Sequence, residues 1–86
     1  RRVGALVLVD AVQAYGKVPV EVAADYIAIS AHKCLGPKGI GALWIGPDAP
    51  CPAPLIHGGG QEAGLRSGTL SPALCAGFGA AAQVAA

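Results

Sequence analysis

The sequence predicts an α/β protein in which a mostly parallel sheet is flanked by helices. Two short aliphatic runs, residues 5–9 and 26–29, show no alternation with polar residues, which is typical of parallel strands covered on both faces. An alanine-rich helix follows near the end of the sequence. Ligands in such folds bind just beyond the carboxyl ends of the strands, so the same pattern also predicts where a site lies.

The first run predicts a strand that ends directly at Asp10. Residues 11–15 predict one turn of helix that Gly16 ends, because glycine favours the conformations that terminate helices. Residues 17–22 are predicted to be extended, because Pro19 is incompatible with a helix interior. This stretch leads into the second aliphatic run.

The second strand, residues 26–29, is followed directly by Ser30, His32 and Lys33. Residues 36–41 then predict a tight turn, because three of them are glycine and one is proline. A link this short cannot form a parallel crossover. The third strand is therefore expected to run antiparallel to the second.

A long glycine-rich polar loop, residues 57–68, precedes the helix and exceeds the length of an ordinary connector. Ser71 then predicts a helix N-cap, with Pro72 at the first helical position. The spacing of the larger apolar residues predicts a buried helical stripe. Its members are Leu74, Phe78, Ala81 and Ala85.

Composition excludes several classes of function. The chain has 86 residues, of which 53% are hydrophobic and 13% charged, and its net charge is +1. Its six basic residues are scattered, so no nucleic-acid-binding surface is expected, and no apolar run approaches the ~20 residues that span a bilayer. A chain so apolar and without methionine is expected to be an internal fragment whose covering layers lie elsewhere in a longer protein.

The three cysteines form no C-x-x-C pair, so neither a metal site nor a disulfide framework is predicted. Free thiols are typical of a reducing cytoplasm, which is the expected location. The turn at residues 36–41 lacks the spacing of a nucleotide-binding phosphate loop. A small nucleotide-binding module is therefore disfavoured.

The polar residues that follow the two strands match the needs of pyridoxal 5'-phosphate (PLP). This cofactor requires a lysine for its aldehyde, a carboxylate against its pyridinium nitrogen and hydrogen-bond donors for its phosphate. Lys33 supplies the amine, Asp10 the carboxylate, and the hydroxyl and imidazole of Ser30 and His32 supply further polar groups.

Three segments carry a resemblance to a known family. VDAVQAYGK (residues 9–17) resembles the V-D-A-x-Q-x-x-G-K segment of class V aminotransferase-fold enzymes, and SAHK with GPKGIGAL (residues 30–33 and 36–43) is similar to their S-x-H-K…G-P-K-G-x-G-A-L segment. HGGGQE with RSGT (residues 57–62 and 66–69) resembles the loop of the cysteine desulfurase branch. The three segments occur in the family's order over nearly the whole chain.

The resemblance implies a fold and a role for each matching residue. Residues 1–86 would be part of one PLP-binding domain of the fold-type-I, aspartate-aminotransferase-like kind, with its N- and C-terminal parts missing. Lys33 would bind PLP covalently and act in catalysis. The other cofactor-binding residues would be Asp10 at the pyridinium nitrogen, Gln13 at the ring hydroxyl, Ser30 and His32 at the phosphate, and Thr69 at the phosphate of a neighbouring subunit.

The reaction implied is the conversion of L-cysteine to L-alanine, with sulfur passed to an enzyme cysteine for iron–sulfur cluster assembly or related pathways. A homodimer and a sulfur-acceptor or scaffold protein are the implied partners, with no nucleic acid or membrane. None of Cys34, Cys51 and Cys75 matches the family's sulfur-accepting cysteine. The stretch from Gln13 to Ser30 is also shorter than is common in relatives, with the loss expected around residues 23–24.

Several alternatives stay open from sequence. Asp10 could cap a helix, and Lys33 and His32 could be ordinary polar residues. His57 is expected to shape the loop, whereas Arg66 could anchor the loop internally or contact a partner subunit. The parent enzyme could instead be a selenocysteine lyase or another class V aminotransferase, or the chain could be a non-catalytic remnant.

Overall fold

The computed structural model describes residues 4–20 and 23–85, which form a three-stranded sheet and one α-helix. The elements are β1 (Leu8–Asp10), β2 (Tyr26–Ser30), β3 (Gly41–Ile45) and α1 (Pro72–Ala85). The strand order is β1-β2-β3, with β1 parallel to β2 and β2 antiparallel to β3. The α/β class and both strand directions are confirmed, and the sheet of the described chain is mixed.

Strand β1 begins later than the sequence predicted. Its pairing starts at Leu8, opposite Tyr26, because the chain just before it is held by Asp25 instead. The Asp25 carboxylate accepts a hydrogen bond from the Val7 amide at 2.8 Å, and the Val7 carbonyl accepts one from the Asp25 amide at 2.9 Å. Leu8 is 63% exposed. Within the described chain β1 is not covered on both faces, since α1 packs on the segment after β2. Because the covering layers were expected elsewhere in a longer protein, burial on both faces stays a prediction.

The connection from β1 to β2 begins with the predicted turn of helix. The amides of Ala14 and Tyr15 donate to the Ala11 carbonyl at 3.1 and 2.8 Å. The turn continues further than predicted, because the amides of Lys17 and Val18 donate to the Ala14 carbonyl at 3.0 and 3.1 Å. The prediction that residues 17–22 are extended is therefore wrong at its start, and its last two residues lie outside the described ranges.

Strand β2 leads into a turn of 3-10 helix, Ala31–Cys34, which carries the lysine. The Gly36 amide donates to the Ala31 carbonyl at 2.8 Å and closes this turn. The chain then returns as β3. A Cβ at Gly41 would lie 2.7 Å from the Ile29 carbonyl oxygen, so the close approach of β3 to β2 requires glycine there.

Helix α1 begins as the sequence predicted. The Leu74 amide donates to the Ser71 hydroxyl at 3.4 Å, and the Cys75 amide donates to the Ser71 carbonyl at 3.0 Å, so Ser71 is the N-cap. No described residue of α1 is buried. The members of the predicted stripe are half-buried: Leu74, Phe78, Ala81 and Ala85. The position of the stripe therefore agrees with the prediction, and its full burial does not. None of the helices in the described residues is both long enough and apolar enough to cross a membrane.

The best-buried apolar residues are small and cluster where three segments meet. Among the residues that the structure describes, they are Ala11 at 1%, Ala31 at 0% and Cys34 at 8% exposure. Ala11 begins the turn after β1, and the other two lie in the 3-10 turn on which α1 packs. These buried residues thus belong to the two segments that carry the candidate site.

Candidate functional site

The parallel pairing of β1 and β2 places the predicted residues at one edge of the sheet. Asp10, the last residue of β1, pairs with Ala28. Ser30 lies two residues further along β2, roughly 7 Å beyond that pair at the rise of a β-strand. The Ala11 amide donates to the Ala28 carbonyl at 2.9 Å and extends the connection past the last strand pair. The predicted convergence of the two strand ends is thus confirmed.

Asp10 is exposed and is held by the turn that follows it. Its Oδ1 accepts a hydrogen bond from the Val12 amide at 3.0 Å, which is the local capping role that the sequence left open. Its Oδ2 accepts no hydrogen bond within the described part of the chain. The carboxylate is therefore oriented by one oxygen while the other can meet a ligand.

Ser30 and His32 form a hydrogen-bonded pair directly after β2. The Ser30 hydroxyl lies 2.7 Å from Nδ1 of His32. If the Ser30 hydroxyl donates to Nδ1, the neutral imidazole carries its proton on Nε2 and can donate it to a ligand. If Nδ1 instead donates to the hydroxyl, the hydroxyl proton remains free for donation to a ligand. In either tautomer the pair retains one donor for an external acceptor such as a phosphate.

Lys33 is half-buried and lies on a firmly held backbone. The residues on either side of the His32–Lys33 pair, Ala31 and Cys34, are both buried. The Ala31 amide also donates to the Ile40 carbonyl at 3.1 Å, which ties the 3-10 turn to the chain leading into β3. The backbone position of Lys33 is therefore well defined, although its side chain is flexible.

The two remaining predicted cofactor residues lie in different segments. Gln13 is exposed in the same turn as Asp10, three residues further on. Thr69 is exposed in the segment between the glycine-rich loop and α1, and it forms no hydrogen bond with the described residues. Gln13 thus lies in the turn that follows Asp10, whereas Thr69 has no hydrogen-bond partner within the described chain.

The glycine-rich loop is held together by its own polar side chains. Gly60 donates its amide to the Ser67 hydroxyl at 3.2 Å, and Gly68 donates its amide to Oε1 of Gln61 at 2.9 Å. Nη1 of Arg66 donates to the Ser67 carbonyl at 2.9 Å. This bond gives Arg66 an internal role in the loop, and a contact with a partner subunit stays a prediction.

His57 contributes less to the loop than the sequence suggested. It is exposed, and its ring forms no hydrogen bond with the described residues. Ser67, only 3% exposed, takes the central place instead, because its amide donates to the Ile56 carbonyl at 3.2 Å and its hydroxyl accepts from Gly60. Nothing in the sequence around Ser67 predicted that this serine would be buried.

Sequence reasoning also missed Asp25 and Cys34. Asp25 is 7% exposed and holds the start of β1, although the sequence predicted no role for it. Its only sequence signal was a carboxylate directly before an aliphatic run. Cys34 is buried, whereas Cys51 and Cys75 are exposed, and all three are free thiols.

The donor set fits PLP. A half-buried lysine, a carboxylate with one oxygen open and a Ser–His pair with a spare donor lie on two adjacent strand ends, in the combination that this cofactor requires. When bound, PLP supplies an electron-accepting ring. Lys33 would hold it covalently, Asp10 would face the ring nitrogen, and the pair would face the phosphate. Within residues 4–20 and 23–85, no group of His, Cys, Asp and Glu side chains is arranged to hold a metal ion.

Comparison with known proteins gives a consistent result. The sequence model of the Aminotransferase class-V family matches residues 1–86. A cysteine desulfurase of Frankia sp. is 53% identical over 100% of this chain and 22% of its own length, and the mitochondrial cysteine desulfurase of Saccharomyces cerevisiae is 53% identical over 87% of this chain and 16% of its own. A solved NifS-like protein has a TM-score of 0.85 at 49% identity, covering 93% of this chain and 22% of that chain.

The chain belongs to the class V aminotransferase family. Within it, the chain is similar to proteins named cysteine desulfurase, and it spans about a fifth of the length of these relatives. The Frankia alignment extends over 90 positions for an 86-residue chain, so that relative has residues which this chain lacks. The expected site of the loss, at residues 23–24, stays a prediction.

Proposed function

We propose that this chain is part of a PLP-dependent cysteine desulfurase and contributes the cofactor-lysine side of its active site. The observation that carries the proposal is the position of Asp10, the Ser30–His32 pair and Lys33 at or directly after the ends of two paired parallel strands. The cysteine desulfurase names of relatives that match the whole chain support it. The chain would form part of one PLP-binding domain whose remainder lies outside these residues.

Each residue of the site has a defined task in this proposal. The Ser30–His32 pair would bind the phosphate through its spare donor, and Gln13 would hydrogen-bond the ring hydroxyl. Asp10 would keep the ring nitrogen protonated by lying against it as a carboxylate, which makes the ring a better electron acceptor. The ε-amine of Lys33 would move the proton on the α-carbon of the substrate.

The substrate would be L-cysteine. A solved relative described as "SspA in complex with cysteine" is 46% identical to this chain, with a TM-score of 0.79, and supports that choice. The carbon–sulfur bond of cysteine would break, its carbon skeleton would leave as L-alanine, and the sulfur would bond to a cysteine thiolate of the enzyme. Cys34 is buried against backbone carbonyls and is unsuited to that task. Cys51 and Cys75 are exposed, but like Cys34 they do not match the sulfur-accepting cysteine of the family, so the accepting thiol is expected outside residues 1–86.

The decisive experiment is the visible absorption spectrum of the complete protein that the gene encodes, before and after borohydride reduction. Wild type should show the band of lysine-bound PLP, and reduction should attach the cofactor permanently to Lys33. Lys33→Ala should lose the band. Lys38→Ala is the matched control, because Lys38 is an exposed lysine five residues further along the same segment and should retain it.

The outcomes separate the alternatives. A PLP band on Lys33 with production of alanine from cysteine supports the desulfurase. A band with turnover of selenocysteine alone, or of other amino acids alone, indicates a selenocysteine lyase or another class V aminotransferase. No band in wild type, even with added PLP, indicates the non-catalytic remnant.

The proposal includes a homodimer in which Thr69 serves the site of the other subunit. Mixing Lys33→Ala subunits with Thr69→Ala subunits tests this arrangement directly. If Thr69 acts across the interface, the mixed dimer contains one site with both residues intact, and activity reappears. If Thr69 acts within its own subunit, each site of the mixed dimer lacks one residue, and activity stays at the level of the single variants.

A sulfur-acceptor or scaffold protein and a role in iron–sulfur cluster assembly complete the proposal. They follow from the fate of the enzyme-bound sulfur, which must be transferred onward for turnover to continue. A cytoplasmic location is proposed from the free thiols. Transfer of labelled sulfur from the protein to a co-purifying acceptor would test the partner, and fractionation of the source cells would test the location.

A further inference from the structure

Gly16 and Cys34 make a close contact between the two segments that carry the proposed site. A Cβ at Gly16 would lie only 2.8 Å from the Cβ of Cys34 and 3.4 Å from that of Ala85 in α1. Gly16 also has a φ of +84°, which L side chains rarely adopt. The backbone of the turn after β1 therefore packs directly on the residue that follows Lys33.

Cys34 is well placed to transmit that contact to the lysine. It ends the 3-10 turn that carries His32 and Lys33, and it is 8% exposed. Its Sγ lies 3.3 Å from the Ala31 carbonyl oxygen and 3.9 Å from that of Ser30, within reach of weak S–H hydrogen bonds. The side chain is thus fixed on its own turn while its Cβ abuts the Asp10 segment.

The contact lies beyond the end of the strand pairing. The last pair of β1 and β2 is Asp10 with Ala28, and the Ala11 amide adds one further hydrogen bond to β2. After these residues, the segment that follows β1 and the segment that follows β2 form separate turns. The Gly16–Cys34 contact is a second junction between the two segments, six residues after Asp10 and one residue after Lys33. The strand pairing and this contact together limit the movement of Asp10 relative to Lys33.

We propose that Cys34 is a positioning residue, which sets the distance between the Lys33 segment and the Asp10 segment through its packing on Gly16. The inference rests on the proposed PLP function, because the two segments would hold opposite parts of that cofactor. Cys34 itself need not touch the cofactor. The exclusion of any side chain at Gly16 and the burial of Cys34 have the same cause, which is the close approach of the two turns.

The test uses the complete encoded protein with PLP and a set of matched variants. Gly16→Ala inserts a methyl group against Cys34, and Cys34→Gly removes the opposing Cβ. The double variant transfers the methyl group from one side of the contact to the other. Gly4→Ala is the control for backbone strain, because Gly4 also has a positive φ, of +72°, but no neighbour within 4 Å of an added Cβ. Cys34→Ala tests the thiol alone.

The readouts are the dissociation constant for PLP and the position and pH midpoint of its visible band. Gly16→Ala should weaken PLP binding about tenfold, as overpacking of a close contact predicts, and should shift the pH midpoint of the band. The double variant should bind PLP more tightly than Gly16→Ala, which is the coupling expected of residues in contact. Gly4→Ala should leave the band unchanged, and Cys34→Ala should resemble wild type because its Cβ remains.

Three results would overturn the inference, and they distinguish its failure from that of the proposed function. If wild type holds PLP on Lys33 while Gly16→Ala changes the band no more than Gly4→Ala, the positioning role is wrong and the proposed function stands. Strictly additive effects in the double variant have the same meaning. If wild type holds no PLP on Lys33, the proposed function and this inference fail together.

Discussion

The hydroxyl of Ser30 lies 2.7 Å from Nδ1 of His32, so the last residue of β2 and the second residue of the 3-10 turn act as one hydrogen-bonding unit. His32 is exposed and Ser30 is half-buried, so their hydrogen bond is open to solvent. A hydrogen bond between two surface side chains contributes little to stability, because water competes for both groups. The hydrogen bond instead orients the remaining donor toward a ligand. Replacing either residue should therefore affect ligand binding more than folding.

We expect Ser30→Ala and His32→Ala each to weaken PLP binding by roughly ten- to a hundredfold, the range of a hydrogen bond to a charged acceptor. The affinity for pyridoxal, which lacks the phosphate, should stay unchanged. Titration of each variant with both ligands makes the measurement. Because the residues act as a unit, the double variant should lose less than the product of the single losses. Equal losses for PLP and pyridoxal would contradict the phosphate assignment.

Two glycines of helix α1 should respond to alanine with opposite signs. A Cβ at Gly77 would lie 2.9 Å from Cγ of Pro37, whereas a Cβ at Gly79 would have no neighbour within 4 Å. Gly79→Ala should stabilise the complete protein by about 0.5–1 kcal/mol, the gain in helix propensity. Gly77→Ala should destabilise it by about 1–3 kcal/mol through overpacking. Thermal unfolding of the pair decides the sign, and a stabilising Gly77→Ala would contradict the described packing.

The strand ends and the helix could be predicted from sequence because local signals specify them. Asp10 and Ser30 follow aliphatic runs, and Ser71 with Pro72 marks the helix start, so their placement needs no knowledge of distant contacts. The Gly16–Cys34 contact joins positions 18 residues apart. Local sequence periodicity does not predict this contact, because it depends on how two turns and a helix pack in the folded chain.

The burial of Asp25 is a second feature that could not be predicted from local sequence. A carboxylate in a connection ordinarily predicts solvent exposure, yet here it accepts a hydrogen bond from the backbone before β1. The sequence also predicted a strand from residue 5, because hydrophobic pattern alone cannot say where a neighbouring strand begins. Tyr26 sets that boundary by pairing with Leu8.

Removal of the Asp25 carboxylate should loosen the start of β1. Asp25→Ala leaves the Val7 amide without its 2.8 Å partner, and the expected loss of stability is about 1–3 kcal/mol, the cost of an unsatisfied buried donor. Asp25→Asn keeps an acceptor oxygen and should lose less. Asp48→Ala changes an exposed carboxylate and serves as control. Denaturant unfolding of the complete protein ranks the three variants, and an Asp25→Ala variant as stable as the control would refute the structural role.

Gln61 should determine the rigidity of the glycine-rich loop. Gln61→Met has a similar shape but cannot accept the hydrogen bond from the Gly68 amide, which is 2.9 Å long in the structure. Gln61→Glu retains an acceptor. Hydrogen exchange across residues 57–68 should be faster in the Met variant by about tenfold, in line with the loss of one hydrogen bond. The Glu variant should exchange like wild type. Equal exchange in the Met variant and wild type would show that Ser67 alone holds the loop.

The 86-residue chain purified alone should not unfold cooperatively. Its best-buried apolar residues within the described ranges are Ala11, Ala31 and Cys34, and no large side chain there is fully buried. Leu6, Leu8 and Trp44 are between 47% and 63% exposed, so the apolar surface that usually offsets the loss of chain entropy stays largely in water. Calorimetry should show no sharp transition, and a dye for exposed apolar surface should bind strongly. A cooperative transition whose midpoint is independent of concentration would contradict this prediction, because it would require a core larger than three small side chains.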